Sequence, residues 1–179
     1  MIYVFDTSSL SKLKHFFPGV FKSVWMGLDG LVQAGELIST REVWNEIERG
    51  DVDPHTNQWL KDHKQIFTTP TTDELRFVAQ ILQMPHFQAL IGEKQRLMGT
   101  PVADPFVIAC AKIRRGTVVT EERFKPNAAK IPNVCQHPSV NVPCIDLENF
   151  HAKAGLEFLN LSNSRGLKTG QPANQHRCN

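Results

Sequence analysis

The chain has 179 residues, 41% hydrophobic and 21% charged, with 11 Gly and 11 Pro and a formal net charge of +2. That is the length and composition of one globular domain, and it excludes collagen-like, low-complexity and wholly disordered chains. No apolar run approaches the roughly 18 residues of a membrane span. The start, MIYVFDTSS, has no basic stretch before its apolar run. It reads as a strand rather than a signal peptide, which predicts a cytoplasmic protein with no membrane partner. The basic excess lies at the end: residues 160–179 hold Arg165, Lys168 and Arg177 and no acid, leaving the body close to neutral. Such a body does not grip nucleic acid by bulk charge, although a local basic rim remains open to it.

In chain order, Ile2–Phe5 is a short continuous apolar run, as in a buried parallel strand. Asp6-Thr7-Ser8-Ser9 supplies capping side chains to a helix carrying Leu10, Leu13, Phe16 and Phe17, stopped by Pro18-Gly19. A second helical periodicity runs from Val20 to Leu31. Glu36–Thr40 reads as a strand, and Arg41–Arg49 as a helix closed by Gly50. Residues 54–64 and 72–98 are expected to be helical, with breaks near Pro70 and Pro85. Asp104-Pro105 is a start signal for an almost wholly apolar helix that Gly116 ends, with Asp104 expected as its N-cap.

Thr117–Thr120 is a third strand. Residues 125–144 read as loop, Val142–Ile145 as a fourth strand and Leu147–Leu159 as a last amphipathic helix. Strands alternating with helices imply a mostly parallel sheet. The polar segment 161–179, with one Leu after Leu161 and no Phe, Trp or Tyr, reads as a tail after a domain spanning 1–160. The four cysteines, Cys110, Cys135, Cys144 and Cys178, form no CxxC pair. Cys135 and Cys144 are nine positions apart, wider than paired zinc ligands, so reduced, incidental thiols are the preferred reading.

In parallel sheets ligands gather at the carboxyl ends of strands, and acids fall there. Asp6 ends the first strand, Glu46 lies on the helix after the second, Asp104 opens the buried helix, and Glu121 and Glu122 follow the third strand. Carboxylates brought to one end of a sheet repel one another and stay ionised together only around cations. A carboxylate set without His or Cys suits hard ions such as Mg²⁺ or Mn²⁺. Such ions lower the pKa of a bound water and steady an in-line phosphoryl displacement, which points to hydrolysis of a phosphodiester. Each acid also has a structural reading: Asp6 and Asp104 as caps, Glu46 as a solvated helix charge, Glu121 and Glu122 as loop charges. On a helical wheel Glu46 and Glu48 flank the Val43-Trp44-Ile47 face on opposite sides, so periodicity does not select between them.

VFDTSSL, STREVWNEI, PVADPFVIACA and VVTEERF occur in that order over residues 1–150. Together they resemble the PIN-domain ribonucleases, the fold of the toxin in VapBC-type toxin–antitoxin pairs. IPNVC followed by NVPCID also resembles a bacterial PIN-like family of unassigned function. The resemblance implies a three-layer α/β/α sandwich with a mostly parallel sheet and a Mg²⁺- or Mn²⁺-dependent endoribonuclease. It implies Asp6, Glu46 and Asp104 as the first three acidic ligands. The fourth is Glu122 or Glu121: the spacing to Phe124 is one residue shorter than usual, and Glu122 is favoured. Thr7 and Ser8 would hydrogen-bond the ligands or a metal water.

RNA is the implied substrate, single-stranded or in loops, where bases can splay out. Lys12, Lys14, Arg41, Arg123 and Lys125 are candidates for a phosphate-binding rim. Trp25, Trp44 and Trp59 have the spacing of core residues. The resemblance further implies a cognate antitoxin and a homodimer; Phe16, Phe17 and Phe21 are candidates for such contacts, with core burial the default. The alternative is a catalytically inactive PIN-like binding module in an RNA or protein assembly.

Overall fold

The computed structural model describes residues 1–91 and 102–156. The tail 161–179, Cys178, the end of the expected 72–98 helix and the last residues of the expected 147–159 helix lie outside the described residues.

Five strands, β1 (Tyr3–Phe5), β2 (Leu37–Thr40), β3 (Phe67–Thr68), β4 (Thr117–Val119) and β5 (Cys144–Ile145), form one sheet in the order β3-β2-β1-β4-β5. All pairings are parallel, with Tyr3 opposite both Leu37 and Thr117. The central strands β1, β2 and β4 are buried along their whole length. Burial on both faces is why β1 reads as an unbroken apolar run rather than an alternating one.

The helices are α1 (Thr7–Lys12), α2 (Lys22–Gln33), α3 (Arg41–Ile47), α4 (Pro54–Asp62), α5 (Thr72–Gln83), α6 (Asp104–Arg114), α7 (Ile131–Gln136) and α8 (Leu147–Lys153). Helix α6, carrying Val107, Ile108, Cys110 and Ala111 into the core, packs on β1, β2 and β4 and is covered in turn by α5. On the opposite face the rings of Tyr3 and Phe5 each meet Phe150 of α8 edge-on at 4.9 Å. Gly27 of α2 lies against Leu156, just past α8. The result is a three-layer α/β/α sandwich.

Several boundaries differ from the sequence expectation. The first helix is α-helical only to Lys12, and Leu13–His15 tighten into a 3₁₀ turn. Phe17 beyond it is exposed rather than core. The segment 54–64 divides into α4 and a 3₁₀ turn at Lys64–Ile66, which feeds the short edge strand β3, too brief to show a period. The segment after Pro85 is 3₁₀ over Pro85–Leu90. The expected loop 125–144 contains α7, whose start carries Pro132, a helix-opening signal hidden among Asn and Pro residues. Asp104 is not an N-cap: Ala103 takes that place without a side-chain bond, and Asp104 is the first helical residue. Trp25, Trp44 and Trp59 are buried in the core, as their spacing predicts.

No helix among the described residues is long and apolar enough to cross a membrane.

Candidate functional site

The chain leaves β1 toward β2 and β3 on one side of the sheet, and leaves β4 toward β5 on the other. Connections after β1 and β4 therefore diverge, opening a crevice at the carboxyl ends of these neighbouring strands. Asp6 follows β1 directly, and Thr120, Glu121 and Glu122 follow β4.

Asp6 is buried at 4% exposure. One carboxylate oxygen, Oδ1, accepts the Ser9 N–H at 2.7 Å and caps α1. The other, Oδ2, accepts the hydroxyls of Ser8 and Thr120, each at 2.7 Å. Burial pushes the Asp6 carboxyl above its usual range, opposed by the bonds from Thr120, Ser9 and Ser8.

Glu46 projects from α3, whose buried residues Val43, Trp44 and Ile47 fix the helix rotation. Its Oε1 accepts the Ala103 N–H at 2.9 Å, and its Oε2 accepts a close hydrogen bond from the Thr7 hydroxyl. Glu46 thus ties α3 to the start of α6, one residue before Asp104, and to the start of α1. The helical wheel left Glu46 and Glu48 equivalent. Tertiary placement separates them, since Glu48 is exposed beyond the end of α3. Glu42 Oε1 pairs with Arg41 at 2.9 Å, and its buried Oε2 has no hydrogen-bond partner among the described residues.

Asp104 records the convergence. Its carboxyl is raised from 3.8 to about 7, first by burial and then by the charges of Glu122, Glu46 and Asp6, with Lys130 acting the other way. Residues far apart along the chain therefore share one electrostatic field.

Glu121 and Glu122 separate clearly. Glu121 Oε1 accepts the Leu147 N–H at 3.0 Å at the start of α8. Glu122 is among the charges that act on Asp104. Its Oε2 accepts the Ile131 N–H at 2.9 Å, and its Oε1 pairs closely with Lys130. Glu121 ties the β4 turn to the start of α8. Ser8 Oγ accepts the Glu121 N–H at 2.9 Å, and Thr120 Oγ1 accepts the Glu122 N–H at 3.0 Å, so the two hydroxyls on Asp6 also shape the β4 turn.

Thr120 and Lys130 are the participants that sequence reasoning did not assign a role. Thr120 was visible only as the polar end of a strand. Lys130 directly precedes the Ile131-Pro132 helix start, inside the segment read as loop. Of the expected rim, Lys12, Lys14, Arg123 and Lys125 are exposed, while Arg41 is paired with Glu42.

The donor set is carboxylate oxygen, the ligand chemistry that hard divalent ions prefer. Among the described residues, Lys130 is the cation that lowers the Asp104 pKa, against the raising effects of burial and of Glu122, Glu46 and Asp6. Among the described residues no three His, Cys, Asp or Glu side chains close around a single point in a coordinating arrangement. The oxygens of Asp6 and Glu46 are instead turned onto hydroxyls and backbone N–H groups. The thiols of Cys110, Cys135 and Cys144 are free.

No curated protein matches the chain. Among solved structures, the crystal structure of PAE2754 from Pyrobaculum aerophilum aligns with a TM-score of 0.46 and 16% identity, covering 88% of this chain and 98% of that one. The model of a domain of unknown function, DUF4411, matches residues 3–158, and the chain belongs to that family.

Proposed function

We propose that the protein is a cytoplasmic PIN-like endoribonuclease that uses Mg²⁺ or Mn²⁺ to hydrolyse RNA phosphodiester bonds, and that it is the toxin of a toxin–antitoxin pair. The observation that carries this reading is the gathering of Asp6, Glu46, Asp104 and Glu122 about the carboxyl ends of β1 and β4, where burial first and then the charges of Glu122, Glu46 and Asp6 lift the Asp104 carboxyl to about 7. Evolutionarily idle carboxylates have no reason to crowd in a half-buried crevice, where each penalises the ionisation of the others.

Asp6, Glu46, Asp104 and Glu122 would hold the cation. When bound, it supplies an activated water and neutralises charge developing on the phosphate. The chain's own residues set the stage. The Ser8 and Thr120 hydroxyls fix one oxygen of Asp6, and the Ser9 N–H fixes the other. The Thr7 hydroxyl and the Ala103 N–H orient Glu46. Lys12, Lys14, Arg123 and Lys125 provide exposed positive charge for the RNA backbone. A cognate antitoxin and a second copy of the chain are the protein partners this reading implies.

The second reading, an inactive PIN-like binding module, is favoured by one observation. Glu122 is already engaged by the Lys130 ammonium and the Ile131 N–H.

The test is cleavage of mixed RNA in Mg²⁺, Mn²⁺ or EDTA by wild type, Asp6→Asn and Asp104→Asn. Metal-dependent cleavage by wild type alone is expected. Cleavage that persists in EDTA or in both variants contradicts a metal nuclease, and no cleavage in any metal favours the binding module.

A further inference from the structure

Cys135 lies in the last turn of α7, and Cys144 opens β5. The chain between them folds back on itself. The Cys135 carbonyl accepts the Val142 N–H at 3.0 Å, and the His137 carbonyl accepts the N–H groups of Val140 at 2.9 Å and Asn141 at 2.8 Å. Pro143 keeps Val142 extended, and Cys144, two residues on, shares the inward side of the chain with it. The two thiols are thereby brought into contact, the Cys135 thiol donating a hydrogen bond to the Cys144 sulfur. That bond, and then burial, push the Cys135 thiol above its usual range, so it stays protonated.

The two sulfurs differ in access. Cys135 is buried at 1% exposure, whereas Cys144 is half-buried and lines a cleft of about 380 Å³ together with Thr120, Glu122 and Arg123. A small oxidant therefore reaches Cys144 first, and Cys135 only through it. Cys110 is placed differently, buried in the core beside Glu74 and Arg114. The pair is also joined to the acids. One helical turn before Cys135, the Ile131 N–H and the Lys130 ammonium hold Glu122. The Ile145 carbonyl, next to Cys144, accepts the Thr120 N–H at 2.9 Å. A change in the seating of α7 on β5 is thus felt at Glu122.

We propose that Cys135 and Cys144 form a redox-active dithiol, which hydrogen peroxide closes to a disulfide and small thiols reopen, and that closure shifts the α7 start that holds Glu122. The Cys144 thiolate attacks one peroxide oxygen; the O–O bond breaks, an S–O bond forms and hydroxide leaves. The sulfur, now a sulfenic acid, has lost two electrons and the peroxide has gained them. The Cys135 sulfur then displaces the sulfenic oxygen, and its proton leaves with that oxygen as water. Two thiols and one hydrogen peroxide give one disulfide and two waters. Reopening takes two equivalents of a small thiol, which depart as their own disulfide. An accessible thiol poised on a resolving partner is the arrangement of redox-sensing cysteines, and transient disulfides of this kind are the ones found in reducing compartments. The inference is independent of the ribonuclease reading.

The test is peptide mass mapping with amide nuclear magnetic resonance on the full chain carrying Cys178→Ser. The protein is exposed to a small molar excess of hydrogen peroxide and then alkylated in denaturant. The expected product joins the peptides of Cys135 and Cys144, leaves Cys110 alkylated and reverts with dithiothreitol. Adding Cys144→Ser should slow the oxidation of Cys135 by roughly tenfold or more, since the buried thiol then lacks its relay. Adding Cys135→Ser should leave Cys144 as a sulfenic acid that dimedone captures. The Ile131 amide signal should move when the disulfide closes and stay in place in peroxide-treated Cys144→Ser. Full alkylation of both thiols at a peroxide dose that oxidises free glutathione overturns the proposal. So does a sulfinic acid at Cys144 without a disulfide, or a Cys135 that oxidises as fast without Cys144. An Ile131 amide unmoved by the disulfide overturns the link to Glu122.

Discussion

The Thr120 hydroxyl donates to Asp6 Oδ2 at 2.7 Å, joining the end of β4 to the end of β1 across 114 residues of sequence. The same oxygen of Thr120 accepts the Glu122 N–H at 3.0 Å. A single hydroxyl thus relates two of the four acids, and it lies fully within the fold at 1% exposure. Its position follows from the parallel pairing of Phe5 with Val119, which brings the next residue of each strand to the same level.

Thr120→Val preserves shape and removes that hydroxyl. Asp6 loses one of the bonds that oppose its burial, and the Glu122 N–H loses its acceptor. We expect a stability loss of about 1–2 kcal/mol in urea unfolding. RNA cleavage should fall at least tenfold, and Thr120→Ser should restore most of both.

Asp104 predicts a pH dependence of stability in the metal-free protein. Its carboxyl is lifted from 3.8 to about 7 by burial and by Glu122, Glu46 and Asp6. Between those two values folded Asp104 keeps a proton that the unfolded chain has released. The folded state then binds more protons, so stability falls as pH rises through this window. Asp104→Asn removes that slope. It should match wild type near the acid end and exceed it by on the order of 3 kcal/mol once Asp104 is fully ionised. Denaturant titrations of both proteins across the window check the sign, and Mn²⁺ should stabilise wild type selectively.

Much of this arrangement was legible in the sequence, and the limits have physical causes. The buried strands β1, β2 and β4 announced themselves because both faces of a parallel sheet are covered. Strand β3 and helix α7 did not, being two and six residues long, too short for a period to emerge. Asp6 and Asp104 were placed by position after a strand and at a helix start. Glu46 was picked out by its place on the helix after the second strand, but periodicity could not choose it over Glu48, because that choice depends on Ala103 and Thr7, contacts 57 and 39 residues away. Lys130 was missed for the same reason: its partner Glu122 lies across a turn whose shape no local pattern records.

On the proposed metal reading, Lys130 would compete with the cation for Glu122. Its ammonium pairs with Glu122 and lowers the Asp104 pKa. Lys130→Ala should tighten Mn²⁺ binding several-fold in calorimetric titration, by freeing a carboxylate oxygen and leaving more negative charge uncompensated. Weaker binding would make Lys130 a support of the site rather than a competitor.

Gly116 marks the approach of α6 to β4. A Cβ there would stand 2.9 Å from the Ile2 carbonyl oxygen and 3.2 Å from Ile2 Cγ2. That carbonyl cannot retreat easily, since it accepts the Thr117 N–H at 2.9 Å in the β1–β4 ladder. Gly116→Ala should cost about 1–3 kcal/mol in thermal or urea unfolding through overpacking. The same substitution at Gly30, where nothing lies within 4 Å, should stabilise α2 slightly.

The most direct measurement of the central claim is a Mn²⁺ titration followed by electron paramagnetic resonance, on wild type, Asp104→Asn and Glu46→Gln. If the acids of β1, α3, α6 and the β4 turn form one cation site, wild type shows saturable binding and each variant loses it by at least tenfold. Binding that is equally weak in all three proteins would contradict a shared site.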